Sequence, residues 1–164
     1  MTRIGLLSDT HSYLDSRVLE HFKDVDEIWH AGDIGSTDVL QRLREYKPTR
    51  AVYGNMDSGD IRYTLSEFYR FRVENVNVLM THIGGYPGHY NPWLLPMFQK
   101  ETPQLFVCGH SHILKVQYDS TWKMLTMNPG AAGKQGWQTV QTLLRFVIDQ
   151  EQIKDLEVIE LCRK

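Results

Sequence analysis

The sequence predicts a single α/β domain whose first half is a parallel sheet covered by helices and whose second half is rich in strands. Three observations carry this. The hydrophobic pattern opens as β-α-β-α-β, the order of a parallel sheet with crossover helices. The first apolar run, residues 4–7, barely alternates, as expected of a strand buried on both faces. Five apolar runs then end, in order, at residues able to bind a metal ion.

Residues 3–8 read as the first strand, and Leu14, Val18, Leu19 and Phe22 recur at helical spacing. Residues 27–30 form a short second strand. Gly35-Ser36 is a turn, Ser36 or Thr37 caps a second helix, and Val39, Leu40 and Leu43 mark its core face. Pro48 ends that helix and residues 51–53 are a third strand. Residues 59–67 are polar and read as a loop. Residues 68–74 and 76–81 alternate as strands paired around Asn75. Residues 83–91 are a loop rich in Gly and Pro. Residues 92–100 suit a helix capped by Asn91, with Pro96 in its middle as the obstacle. Residues 105–108 are a buried strand, and residues 115–119 and 122–127 a hairpin about Ser120-Thr121. After a Gly-rich loop, residues 128–136, two strands are expected at 139–148 and 153–161. The last has a pattern (Leu156, Val158, Ile159, Leu161) that also fits a helix.

The 164 residues suffice for one domain, 1–164, with a sizeable core. A net charge of -2 and the lack of a basic cluster among aromatics argue against a general nucleic-acid binder. No apolar run approaches the ~20 residues of a membrane span. No charged-then-apolar leader precedes the first strand, so no secretory signal is expected. Two cysteines far apart, Cys108 and Cys162, do not make a disulfide framework, and a cytoplasmic location fits.

The chemistry lies at the ends of the apolar runs. Asp9 and His11 follow the first. Asp33 follows Trp29-His30-Ala31-Gly32, Asn55 follows Val52-Tyr53-Gly54, and His82 follows Leu79-Met80-Thr81. His110 and His112 follow Phe106-Val107-Cys108-Gly109. In open α/β sheets the loops at the carboxyl ends of strands face one crevice, where ligands bind. Two carboxylates, one amide oxygen and four imidazoles suit borderline divalent ions such as Mn, Fe, Zn, Ni or Co. Seven donors are too many for one such ion with an open position and suit two ions sharing a carboxylate. Two ions about 4 Å apart can activate a bridging hydroxide and hold both ends of an in-line displacement at phosphorus.

Plainer roles exist for single residues. Asp33 can cap a turn, and Asn55 sits in a Gly-Asn turn where Asn adopts positive φ. His30 suits a buried structural role better than ligation. His89 is either a substrate contact or an exposed loop residue. Tyr86, Tyr90 and Trp93 are either the rim of a pocket or a lid packed on itself. Cys108 reads as a small buried residue beside the site.

The ordered blocks Asp9-Thr10-His11, Gly32-Asp33, Gly54-Asn55-Met56-Asp57, Thr81-His82 and Gly109-His110-Ser111-His112 resemble the calcineurin-like metallophosphoesterase superfamily. Small size, Asn128-Pro129-Gly130 and the form Gly-Asn-x-Asp resemble its branch of small phosphodiesterases of the YfcE type, which also contains Vps29. The resemblance implies a four-layer α/β/β/α sandwich. It implies that Asp9, His11, Asp33 and His112 hold one divalent ion, and that Asp33, Asn55, His82 and His110 hold a second, with Asp33 bridging. It implies Mn as the first choice of metal, with Ni, Fe, Zn or Co as alternatives. Asp33, Asn55, His82 and His110 are the implied catalytic group, acting on a small phosphoester, a diester in preference to a monoester. A homodimer is a further implication.

Two positions depart from the family pattern. Met56 stands where many family phosphatases have a histidine, and a thioether cannot transfer a proton. Ala131 stands where the branch often has serine. Asp57 suits orientation of Asn55 from behind. The missing acid leaves a second reading, a Vps29-like interaction scaffold with a vestigial metal site.

Overall fold

The computed structural model describes residues 1–162. Its elements run β1 (Thr2–Leu7), α1 (Ser16–His21), β2 (Glu27–His30), α2 (Thr37–Tyr46), β3 (Thr49–Ala51), α3 (Gly59–Thr64), β4 (Phe68–Val73) and β5 (Val76–Thr81). A 3-10 turn (Pro92–Leu94) then leads into α4 (Leu95–Lys100), followed by β6 (Leu105–Val107), β7 (Leu114–Asp119), β8 (Met124–Pro129), β9 (Val140–Asp149) and β10 (Gln152–Cys162). The strands form two five-stranded sheets, ordered β10-β9-β1-β2-β3 and β4-β5-β6-β8-β7. Both are mixed. β1, β2 and β3 are parallel, with β9 and then β10 added antiparallel on the far side of β1. β5, β6 and β8 are parallel, with β4 and β7 as antiparallel edges.

Period-two alternation divides the apolar residues among three cores. Leu7, Ile28, Leu143 and Ile159 face Val18, Val39, Leu43 and Ile61 of the first three helices. On the opposite face Ile4, Leu6, Trp29 and Phe146 meet Val78, Met80, Leu105 and Val107 of the second sheet. Beyond that sheet, Leu79 and Phe106 pack on Leu94 and Phe98. The layers are therefore α/β/β/α, which explains why residues 4–7 show no polar face. Trp29 is fully buried between the sheets, edge-on to Phe71 at 4.9 Å and Phe146 at 5.6 Å. Its indole N–H donates to Glu27 Oε1 at 2.8 Å, so no buried donor is left open.

The structure departs from expectation at residues 59–64 and at β3, and it settles two points that the sequence leaves open. Residues 59–64 are helical rather than loop; a single residue, Ile61, is buried, so the segment carries no apolar periodicity. β3 begins two residues early, at Thr49, and Val52 only bridges to Ser66. Pro96 does not break α4, because it lies in the first turn, where a missing N–H costs nothing. The last segment is a strand on the edge of the first sheet. A register shift between Lys154 and Glu157 blurs its alternation.

Candidate metal centre

Beyond the sheet edge, backbone hydrogen bonds carry the pairing into the loops. Asp9 N donates to Gly32 O, His11 N to Asp33 O and Ser12 N to Ile34 O, at 2.8–3.0 Å. Gly109 N donates to His82 O at 3.0 Å. The glycine before several of these residues makes room for a neighbour. A Cβ on Gly32 would come within 2.7 Å of the His82 ring, and one on Gly54 would strike the Asp33 carboxylate. Asp9, His11, Asp33, His110 and His112 all adopt positive φ, between 46° and 74°. Left-handed backbone is uncommon for such residues and gathers at functional sites, where the surroundings hold it. Asn55, for which a positive φ was the plainer reading, is not among them.

The five strand ends bring all seven side chains together. Asp9, His11 and His112 form one cluster, with donor atoms within 4.8 Å of each other, and Asp33, His82 and His110 form a second. Asn55 Oδ1 lies 3.1 Å from His110 Nδ1, which attaches it to the second cluster. Asp33 stands between the clusters: its Oδ2 is 3.1 Å from His82 Nε2 and 3.7 Å from His11 Nε2. Each carboxylate has one oxygen anchored and one turned to the centre. Asp33 Oδ1 accepts from Met56 N at 2.8 Å. Asp9 Oδ2 accepts from Ser8 Oγ at 2.7 Å and His110 N at 3.1 Å, while Asp9 Oδ1 lies 3.2 Å from His112 Nε2.

The centre is strongly polarised. Burial alone would raise the Asp9 carboxyl, but His11, His112, His82 and the Ser8 hydroxyl outweigh it and hold it far below the carboxylate range. Asp33 is likewise lowered, burial being overcome by His82. His82 is raised although burial opposes its charge, because Asp33 and Asp9 face it. Burial and the neighbouring His82 lower His110. His82 Nδ1 contacts Ala31 O at 2.7 Å and must donate there, which leaves Nε2 to the centre. His82 Nε2 and Asp9 Oδ1 are buried and make no hydrogen bond. Such atoms are costly in a folded protein unless something pairs with them. Buried ligand atoms that meet only one another, across 3.1–3.7 Å, in a set of imidazoles, carboxylates and an amide fit a pair of borderline divalent ions.

Several residues support the centre from behind, and His30 takes the buried structural role that the sequence suggests. His30 is fully buried, accepts from Gly32 N through Nδ1 at 3.1 Å, and meets Thr10 Oγ1 through Nε2 at 3.0 Å. Thr10 Oγ1 passes the chain on to Ile34 O at 2.8 Å. His30 thus ties the β1 and β2 loops and is not turned to the centre. Burial pushes its imidazole down to about 4. Between pH 6.5 and 4 the unfolded chain therefore takes up a proton that the folded chain refuses. Stability from this group is complete above pH 6.5 and falls as the pH drops, by up to about 3 kcal/mol. Urea midpoints at pH 6.5 and 4.5 should fall less in His30→Gln than in the wild type; equal falls would contradict the assignment. Asp57 accepts from Gly54 N and Gly35 N at 2.9 Å and from Ile34 N at 3.2 Å, clamping the β3 end to the β2 end. Ser8 is legible in hindsight as a polar residue closing an apolar run. Gln135 and Gln138, lying against His112, had no signal at all.

The other candidates separate. Tyr90 is half-buried against Phe98 and Phe106, with its hydroxyl donating to Asp119 Oδ2 at 2.6 Å, and Trp93 is largely exposed. Cys108 is buried and its thiol is pushed up to about 12, so it is no nucleophile. Met56 is 64% exposed at the rim, and its side chain supplies no acid. No helix among the described residues is long and apolar enough to cross a membrane.

The family model described as the calcineurin-like phosphoesterase superfamily domain matches residues 2–151. A "probable metallophosphoesterase" of Methanothermobacter thermautotrophicus is 32% identical over 136 residues, covering 78% of this chain and 76% of that protein. One from Methanocaldococcus jannaschii is 28% identical over 133 residues, covering 78% and 67%. Among solved structures, an archaeal phosphodiesterase matches with a TM-score of 0.75 at 23% identity, over 97% of this chain and 99% of that one. Vps29 of Chaetomium thermophilum matches with a TM-score of 0.76 at 14% identity, over the whole of both chains. At these identities the two structures speak for the fold alone.

Proposed function

This chain belongs to the calcineurin-like phosphoesterase superfamily, and from that premise we propose that it is a two-metal phosphodiesterase. One observation carries the reading: seven donors from five strand ends converge, with Asp33 between the two clusters. Asp9, His11, Asp33 and His112 would hold one ion, and Asp33, Asn55, His82 and His110 the other. Two divalent ions bound there neutralise charge at phosphorus and supply a nucleophile from water at neutral pH.

The chain's own groups prepare that chemistry. The Ala31 carbonyl fixes the His82 tautomer, and Met56 N and His110 N each hold one carboxylate oxygen, so the other faces inward. His110 is the exposed imidazole of the second cluster, so it is the one a phosphoryl oxygen arriving from solvent would meet first. Because Met56 supplies no proton, the leaving group is protonated from water, and substrates with acidic leaving alcohols react fastest. Mn is our first choice of ion, ahead of Ni, Fe, Zn and Co. A small phosphodiester is the proposed substrate.

The test is hydrolysis of bis-p-nitrophenyl phosphate by metal-stripped protein, with and without Mn. Turnover should appear on addition of metal and vanish with chelator. Melting should follow: metal at about a hundred times its Kd adds about 2.7 kcal/mol, a rise of roughly 5–10 °C for a chain of this size. A flat trace and an unchanged Tm under all five metals would overturn the proposal. The interaction-scaffold reading, which Met56 favours, would then replace it.

A further inference from the structure

A cavity of about 560 Å³ opens beside the second cluster, with His110 and Ser111 at one end and the loop of residues 83–92 as its outer wall. Its volume is in the range of sites that enclose a whole small ligand; a bare phosphate or a methyl ester would leave most of it empty. The walls are largely apolar, and three of the large apolar side chains are exposed: Ile83 by 40%, Tyr86 by 44% and Ile113 by 65%. No carboxylate lines it, and its one ammonium, Lys115, lies 4.2 Å over the Tyr86 ring. The His89 ring packs against the same tyrosine at 4.8 Å.

The wall is built in advance of any ligand. His89 N donates to Tyr86 O at 2.8 Å, Asn91 N to Gly84 O at 2.9 Å, and Asn91 Nδ2 to Ile83 O at 3.1 Å. Gly84 is needed here: a Cβ would come within 2.6 Å of Cys108 Cβ and 2.7 Å of the Phe106 ring. The loop is thereby drawn onto the end of β6, next to His110. A preformed wall spares the ordering cost that a floppy loop imposes on binding.

We propose that this cavity receives one ester substituent of the phosphodiester, and that its walls select a flat heteroaromatic substituent of nucleobase type over a small alkyl one. The proposal rests on the phosphodiesterase reading and adds a substrate class to it. A flat ring covers Ile83, Tyr86 and Ile113 together, removing apolar surface from water. Its ring carbonyls or nitrogens accept from Lys115. With no carboxylate in the lining, a cationic substituent such as choline finds no counter-charge.

Two diesters with the same leaving group isolate the substituent: thymidine 5′-p-nitrophenyl phosphate and methyl p-nitrophenyl phosphate. With Mn-loaded protein the nucleoside diester should be preferred in kcat/KM by on the order of tenfold, mainly through KM. Tyr86→Ala and Ile113→Ser, both at exposed positions, should each cut that ratio several-fold. Equal kcat/KM values, or a ratio that neither variant moves, would overturn the proposal while leaving the phosphodiesterase intact. Saturation-transfer NMR of thymidine 5′-monophosphate on metal-free protein decides the same point without turnover. Saturation of the base protons that is lost in Tyr86→Ala supports the ring site even if neither diester is hydrolysed, and its absence in the wild type refutes it.

Discussion

Asp33→Ala is expected to lower metal-dependent hydrolysis by about a thousandfold or more, on the order of 4 kcal/mol of transition-state stabilisation. The size follows from position. Asp33 Oδ2 approaches both clusters, at 3.1 Å from His82 and 3.7 Å from His11, so its loss weakens two ions rather than one. Steady-state rates with bis-p-nitrophenyl phosphate across a Mn titration provide the check. The metal-free Tm should also fall, because the carboxylate that faces His82 and accepts from Met56 N is lost, an effect larger than the relief of its repulsion with Asp9. The Mn-induced rise in Tm should disappear in the variant. A variant that keeps both the wild-type rate and the Mn-induced rise would refute the bridging assignment.

Asp57→Ala is expected to cost about 3–5 kcal/mol of stability in urea unfolding. It strands the amides of Gly54, Gly35 and Ile34, and the penalty for buried donors without acceptors is paid in full. The β3 end would also come free of the β2 end, so Asn55 and Asp33 would lose their mutual placement. Mn affinity should drop by roughly 10- to 100-fold, the effect typical of a residue that orients ligands. Asp57→Asn keeps one oxygen acceptor and should fall between the two. A loss under 1 kcal/mol in Asp57→Ala would show that water replaces the carboxylate and that the clamp does not act as described.

Much of the candidate site was legible because each part of it is local. A βα unit places its ligand directly after its strand, so residues 4–7 followed by Asp9 and His11 can be read without knowing what lies beside them. The same holds for Asp33, Asn55, His82, His110 and His112. The second helix was legible for a similar reason, since the turn before it, three core residues and Pro48 all sit within it or next to it. Where local signals were thin, the reading failed. Residues 59–64 bury one side chain, and a helix with one buried residue has no period to detect. The final segment reads correctly as a strand, but a helix stays open there because a bulge resets the alternation after Lys154.

The sequence by itself determined which residues end the strands, and therefore the donor types and the class of ion they suit. Tertiary structure alone decided how they combine. The order β10-β9-β1-β2-β3 sets β1 beside β2, which brings Asp33 beside Asp9 so that His82 Nε2 meets both carboxylates, at 3.1 and 3.7 Å. Packing of the second sheet against the first carries His82, His110 and His112 to the same edge. The cavity beside His110 joins the loop of residues 83–92 to β7 and β8, segments with no relation in sequence. The reason is physical: periodicity and caps are written in neighbours along the chain, whereas a shared ligand or a pocket wall depends on distances across sheets and on backbone held at positive φ, which no run of residues encodes.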